Sequence, residues 1–163
     1  LDPEVDRVNR LIPEQSLMRF ASRLTNYELI TSESKSQMPK PYYPQPEHGW
    51  CFYFQKAELA RQFKQWNEVV SLGDAAFNLG LQPSDPSERF VFIEGYAHAG
   101  EWDRAVELSM QSFDESELMS PPLCRLWERV ESETAPSPGR AALGEPKRSE
   151  ALSEAQTMLT CNP

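Results

Sequence analysis

Apolar side chains recur at helical spacing between positions 85 and 113. Asp85 suits an N-cap, Pro86 suits the first helical position, and Glu88 completes a capping box. The apolar stripe that follows consists of Phe90, Ile93, Tyr96 and Ala97. Gly100 ends this helix, because glycine readily adopts the left-handed conformation of a helix end. A second helix is predicted from near Asp103, with a stripe of Val106, Met110 and Phe113 and with Ala105 and Leu108 beside it.

The earlier window 47–82 has the same organisation, and like the window 87–120 it contains no proline. Because proline breaks helix interiors, both windows can hold regular helices. We expect one helix over 47–63 and its partner over 67–79, where Gly80 ends it. The turns between partners are short, so the helices of each pair must lie antiparallel.

The two predicted hairpins repeat at an offset of 36 residues. Identical residues recur at Phe54 and Phe90, Glu58 and Glu94, Trp66 and Trp102, Val70 and Val106, Leu72 and Leu108, and Phe77 and Phe113. A period of this size is typical of solenoids built from helical hairpins. We therefore predict a mainly α fold whose main part is two antiparallel helical hairpins.

The stretch 95–108, GYAHAGEWDRAVEL, resembles the centre of a tetratricopeptide repeat. Tyr96, Gly100, Trp102 and Ala105 match in register the family's aromatic residue, turn glycine, second aromatic residue and alanine. The first hairpin has Ala60, Lys64, Trp66 and Val69 at these positions, so it matches the pattern less well. The resemblance covers about residues 50–114, and it implies a groove lined by the first helix of each hairpin.

These patterns divide the chain into an N-terminal segment at 1–46, a helical repeat domain at 47–133 and a flexible tail at 134–163. The repeat domain ends with a third helix, for which Ser120 is the N-cap and Pro121 the first helical residue. Its apolar residues are Leu123, Leu126, Trp127 and Val130. We interpret this helix as a cap over the second hairpin, since terminal repeats need to be covered.

The two flanking segments carry weaker patterns. We predict a helix over 13–23, a short strand at 27–31 and an extended proline-rich strap at 39–46. The predicted helix has a stripe of Leu17, Phe20, Ala21 and Leu24. Residues 134–148 have the composition of a linker, and a short helix follows with Ser149 as its N-cap. That helix is expected to order only against another part of the protein.

Composition excludes several classes of function. The 163 residues include 16 Lys and Arg against 25 Asp and Glu, which gives a formal net charge of −9. This balance disfavours nucleic acid and anionic membranes as partners. No apolar run reaches the roughly 18–20 residues of a membrane span. Without an initial Met or a signal peptide, we interpret the chain as cut from a longer protein.

The candidate binding residues come from the tetratricopeptide resemblance. Its register places on the groove Cys51, Phe54, Glu58, Arg61 and Gln62 from the first hairpin, and Phe90, Glu94, Ala97 and His98 from the second. The repeated pairing of an aromatic residue with an acid suits a peptide that carries a basic or amide group. Alternatively, both phenylalanines belong to the core and both glutamates are merely solvated.

Metal and catalytic sites find little support in the sequence. His98 lies one turn after Glu94, but a metal site needs more ligands, and no HExxH-like or paired-Cys spacing occurs. Cys51, Cys124 and Cys161 are too few and too scattered for a disulfide scaffold or a zinc cluster. No phosphate loop, nucleophile elbow or dinucleotide fingerprint is present. We therefore expect no metal, no cofactor and no catalysis in this chain.

The sequence favours a non-catalytic interaction module that binds a peptide, or another domain of its parent protein, through this groove. A second resemblance indicates a different class of function. Residues 44–77 together with 83–102 are similar to the soluble C-terminal region of large bacterial polytopic membrane proteins, some resembling lipid-linked glycosyltransferases. It implies a soluble accessory domain of a membrane-embedded transferase, with the chemistry upstream. A third class, a small helical hydrolase, would require a deep pocket with convergent ionisable groups.

Overall fold

The computed structural model describes Val5, Leu24, Leu29 and residues 8–13, 16–22, 47–136 and 145–161. The described residues are mainly helical and include no β-strand, which confirms the predicted mainly α fold. The helices are α1 (Leu17–Ser22), α2 (Trp50–Gln62), α3 (Trp66–Asn78), α4 (Phe90–Ala99), α5 (Trp102–Glu115), α6 (Ser120–Glu133) and α7 (Glu145–Met158). None of them is long and apolar enough to cross a membrane.

The central helices form two successive hairpins. Helix α2 packs against α3, α4 packs against α5, and α3 also packs against α4. Helices α3 and α4 end next to the predicted glycines: Gly80 has φ +70° and Gly100 has φ +84°, values that glycine adopts without steric cost. Helices α2 and α6 each contact α4, so these three helices line one side of the molecule.

Helix α4 lies at the centre of the core. Its residues from Phe90 to Ala97 are all buried, whereas the sequence predicted a single apolar stripe. The largest fully buried side chains of the core include Trp127, Tyr96, Phe92, Ile93, Leu108, Leu123 and Leu126. Because α2, α3, α5 and α6 all pack against α4, nearly every side of this helix is covered.

Two glycines allow α3 and α4 to approach each other closely. A methyl group added at Gly95 on α4 would overlap Val69 Cγ1 and would lie 3.0 Å from Val69 Cβ. One added at Gly73 on α3 would lie 2.9 Å from Phe92 Cδ1. The absence of a side chain at these positions therefore sets the distance between the two hairpins.

We predict that Gly95→Ala destabilises the protein by about 1–3 kcal/mol, as overpacking of a well-filled core usually does. Alanine favours a helix over glycine by up to about 1 kcal/mol, so a net loss must come from the overlap with Val69. Urea unfolding followed by circular dichroism measures the loss. Gly49→Ala is the control, since no atom lies within 4 Å of a methyl group there. Equal stability of Gly95→Ala and wild type would contradict the close approach.

Several predicted helix ends differ in the structure. Asp85 Oδ1 accepts a hydrogen bond from Ser87 N–H at 2.8 Å, as an N-cap does, and a short 3-10 turn at Pro86–Arg89 precedes α4. The predicted capping box is wrong, because the Glu88 carboxylate instead accepts from the Trp50 indole. Ser120 lies inside α6, and its hydroxyl donates to the Leu159 carbonyl at 2.6 Å.

The apolar stripe that was predicted for α5 is wrong in part. Val106 is buried as expected, but Met110 is exposed, and Ser109 and Ser112 are buried in its place. Both serines satisfy their hydroxyl groups: Ser109 donates to the Ala105 carbonyl at 2.8 Å, and Ser112 donates to the Pro86 carbonyl at 3.1 Å. Small polar residues can be buried here because each finds a backbone acceptor.

The C-terminal part is more ordered than a flexible tail. Helix α7 begins before Ser149, the predicted N-cap, and it packs against α5 and α6. Leu152, Ala155 and Leu159 are buried in this contact. A disulfide joins Cys124 of α6 to Cys161, a pairing that the sequence analysis did not anticipate. The C-terminal helix is therefore part of the fold, held covalently and by apolar packing.

The N-terminal helix α1 is shorter than predicted, and its apolar stripe faces solvent. Leu17 is 79% exposed, and Phe20, Ala21 and Leu24 are exposed as well. The predicted strand at 27–31 lies outside the described residues except for Leu29, and the strap at 39–46 lies wholly outside them. Of the predicted linker, 137–144 lies outside them too.

Candidate functional site

A cavity of about 530 Å³ opens on the side of the molecule lined by α2, α4 and α6. Six of the predicted binding residues line it: Phe54, Glu58, Arg61, Gln62, Phe90 and Glu94. His98 and Ala97 do not line it, and Cys51 is an exposed free cysteine away from it. We call this cavity and its lining the α2–α4 groove.

One part of the α2–α4 groove is apolar. Phe54 on α2 is half-buried, and Phe90 and Val91 on α4 are buried behind it. Leu126 adds an aliphatic side chain from α6. Because Phe54 keeps part of its ring accessible, this part of the groove can receive an apolar side chain of a ligand.

The other part of the groove is a network of charges around Glu94, whose side chain is 4% exposed. Arg129 Nη2 donates to Glu94 Oε2 at 2.9 Å, and Arg61 Nη1 lies 3.7 Å from the same oxygen. Arg61 Nη2 also donates to Glu58 Oε2 at 2.9 Å. A buried carboxylate needs such partners, since an isolated charge in the interior is costly.

A hydrogen bond connects the start of α2 to the 3-10 turn that precedes α4. Trp50 Nε1, at the start of α2, donates to Glu88 Oε2 at 2.7 Å. The Trp50 ring packs edge-on against Phe92, with centroids 5.5 Å apart. Asp85, Ser87 and Glu88 line the groove. The first turn of α2 is thus fixed relative to α4 by a polar and an aromatic contact.

His98 does not line the groove, although it lies one turn after Glu94 on α4. Its ring stacks on Trp66 with centroids 4.0 Å apart and an interplanar angle of 1°. Its Nε2 lies 3.1 Å from Glu133 Oε2 at the end of α6. The pKa of His98 is lowered, mainly by burial and further by the nearby charges of Lys64 and Arg129, although the Glu133 carboxylate acts in the opposite direction. The neutral imidazole is therefore the favoured form at neutral pH.

Glu94, His98 and Glu133 offer three ligand atoms within 4.8 Å of one another, a spacing that would suit a metal ion. The sequence analysis identified the first two but not Glu133. Each carboxylate already faces a cation: Arg129 contacts Glu94, and Lys64 Nζ lies 3.4 Å from Glu133 Oε1. The charges are those of an ion-pair network rather than of an anionic metal pocket.

The sequence analysis missed seven of the residues that line the groove: Val5, Asp85, Ser87, Glu88, Val91, Leu126 and Arg129. Arg129 lies on α6, outside the 36-residue repeat, so the register of the hairpins gave no information about it. Arg129 lies three residues after Leu126, so both side chains share one face of the helix. This spacing is the feature of the sequence that could have placed Arg129 in the groove. Val5 lines the groove from the N-terminal segment, far away in sequence.

Comparison with known proteins finds no family model, no curated protein and no solved structure that matches this chain. The tetratricopeptide resemblance and the resemblance to bacterial membrane proteins therefore stay predictions.

Proposed function

We propose that this chain is a non-catalytic interaction module that binds an extended peptide, or an extended segment of a neighbouring domain, in the α2–α4 groove. The observation that carries the proposal is the groove itself, in which an apolar wall and a charged wall face one cavity. Its volume of about 530 Å³ lies within the range of roughly 300–1,000 Å³ that is usual for ligand sites.

The two walls suit the two parts of a peptide. The accessible ring of Phe54 and the side chains behind it can hold one apolar side chain, the kind of contact that dominates binding energy in most interfaces. The guanidinium groups of Arg61 and Arg129 can donate to backbone carbonyls or to carboxylates of the peptide. Glu58 and Glu94 keep these guanidinium groups oriented through the contacts described above.

A random peptide library displayed on phage tests this proposal with the full chain as bait. We expect selection to enrich related sequences that bind wild type, and Phe54→Ala to weaken their binding by about tenfold or more, a loss typical of a central apolar contact. Phe63→Ala is the matched control, since Phe63 follows α2, is 37% exposed and does not line the groove.

Circular dichroism of both variants establishes that they remain folded before affinities are compared. The proposal fails if no related sequences are enriched on wild type. It also fails if the enriched peptides bind wild type and Phe54→Ala with equal affinity, because binding would then lie elsewhere on the surface.

A further inference from the structure

The α2–α4 groove contains more carboxylates than cations. Its described lining includes four acidic side chains but two arginines: Glu58, Asp85, Glu88 and Glu94 against Arg61 and Arg129. The repeat pattern singled out Glu58 and Glu94 as the acids that would receive a basic group of a ligand. In the structure both are paired with the arginines, since Arg61 contacts both of them and Arg129 contacts Glu94. The excess negative charge therefore lies on the other two acids, Asp85 and Glu88.

Asp85 and Glu88 accept hydrogen bonds from neutral donors. Asp85 Oδ1 accepts from the N–H and the hydroxyl group of Ser87, at 2.8 and 2.7 Å. Glu88 Oε2 accepts from the Trp50 indole at 2.7 Å. In the part of the chain that the structure describes, no Lys, Arg or His forms an ion pair with either carboxylate, and the neighbouring Arg89 pairs with an acid on α5 instead. Both carboxylates thus keep a negative charge that no described cation balances.

The backbone brings these two carboxylates to the same side of the 3-10 turn at Pro86–Arg89. Glu88 N–H donates to the Asp85 carbonyl at 3.0 Å, and residues three apart in such a turn lie on the same side. Phe54 lines the same cavity from α2. A ligand can therefore place a basic group on the two carboxylates and an apolar group on Phe54 within one groove.

Gln62 gives a second, independent indication that the groove lacks hydrogen-bond donors. Its side chain lines the cavity, and among the described residues its buried amide oxygen has no hydrogen-bond donor. A buried acceptor without a donor is unfavourable, so a ligand that brings an N–H to this oxygen gains binding energy. The lining thus favours a ligand that supplies N–H donors as well as positive charge.

We propose that the partner is a basic peptide, in which a Lys or Arg side chain forms an ion pair with Asp85 and Glu88 while a neighbouring apolar side chain contacts Phe54. This inference rests on the proposed function and adds to it the chemistry of the partner. Arg61 and Arg129 then bind backbone carbonyls of the peptide, since acids of the protein already balance their charges. The net charge of −9 on the whole chain also favours the approach of a basic peptide.

The test compares wild type with Asp85→Asn/Glu88→Gln in the full chain. This double variant removes both charges and keeps an oxygen acceptor for the hydrogen bonds from Ser87 and Trp50. Glu101→Gln/Glu117→Gln is the matched control, because it removes two charges at exposed positions that do not line the groove.

The probes are the random phage library and two fluorescein-labelled synthetic peptides, whose binding is followed by fluorescence anisotropy. One has the sequence most enriched on wild type, and in the other its Lys or Arg is replaced by Gln. We expect wild type to enrich sequences with a basic residue near an apolar one. The basic peptide should bind the groove variant at least about fivefold more weakly than wild type, and the control variant like wild type. The Gln peptide should bind wild type and the groove variant equally.

Circular dichroism establishes that the variants are folded, and Glu88→Gln alone, expected to weaken binding at least about twofold, replaces the double variant if that unfolds. The inference is overturned if the enriched peptides lack a basic residue, or if the groove variant binds the basic peptide as tightly as wild type. An equal loss in the control variant also overturns it, because the effect would then come from overall charge. In each of these cases, weaker binding by Phe54→Ala would leave the proposed function intact. If wild type enriches no related sequences, both proposals fail.

Discussion

Replacing Trp127 by alanine is expected to lower the free energy of unfolding by about 3–5 kcal/mol, the usual loss for truncating a buried Trp. Trp127 lies on α6 and is 1% exposed. Its Nε1 donates to Ser109 Oγ at 3.1 Å, which connects α6 to α5. The substitution would leave a large cavity and would also remove the donor that faces a fully buried hydroxyl group.

Urea unfolding monitored by far-ultraviolet circular dichroism measures this loss. The comparison requires that the variant and wild type have the same m-value. Trp127→Phe is the matched variant, because it keeps most of the apolar volume and removes only the indole N–H and part of the ring system. It should cost clearly less than Trp127→Ala. If Trp127→Ala cost less than about 1 kcal/mol, the close packing of α6 against the hairpins would be contradicted.

The helical hairpins could be predicted from the sequence because their signals are local. The stripe of Phe90, Ile93 and Tyr96 and the glycines at positions 80 and 100 depend only on helical periodicity and on backbone conformation. The predicted stripe on α5 was wrong at Met110, because burial on this helix depends on contacts with other parts of the chain and not on a local pattern. Ser109 is buried there because Ala105 and Trp127 supply its hydrogen-bond partners, and a hydropathy pattern contains no information about such partners.

The candidate site shows the same limit. Six groove residues could be named in advance from the register that the tetratricopeptide resemblance implies for the first helix of each hairpin. Arg129 and Val5 reach the groove from α6 and from the N-terminal segment, by contacts that link distant parts of the chain. His98 shares a helix with Glu94 but packs on Trp66 and does not line the cavity. Spacing along one helix cannot show where a cavity ends.

The second large effect is expected at the disulfide between Cys124 and Cys161, which are separated by 37 residues. Cys161→Ser should lower the free energy of unfolding by about 2–4 kcal/mol, since the bond restricts the unfolded chain. The folded state should persist, because Leu152, Ala155 and Leu159 still pack α7 against the rest of the protein. Amide hydrogen exchange should nevertheless become faster in α7 than in α4, since the covalent link holds this last helix in place.

Urea unfolding of the oxidised protein with and without dithiothreitol measures the contribution of the bond. Reduction should destabilise wild type by the same amount as Cys161→Ser, and it should leave Cys161→Ser unchanged. Cys51→Ser is the matched control, because Cys51 is exposed and free, and its loss should alter neither stability nor the response to reductant. Three titratable thiols in the denatured, unreduced protein would contradict the pairing, whereas one thiol is expected. Equal exchange rates of α7 in the oxidised and reduced proteins would show that apolar packing alone fixes the helix.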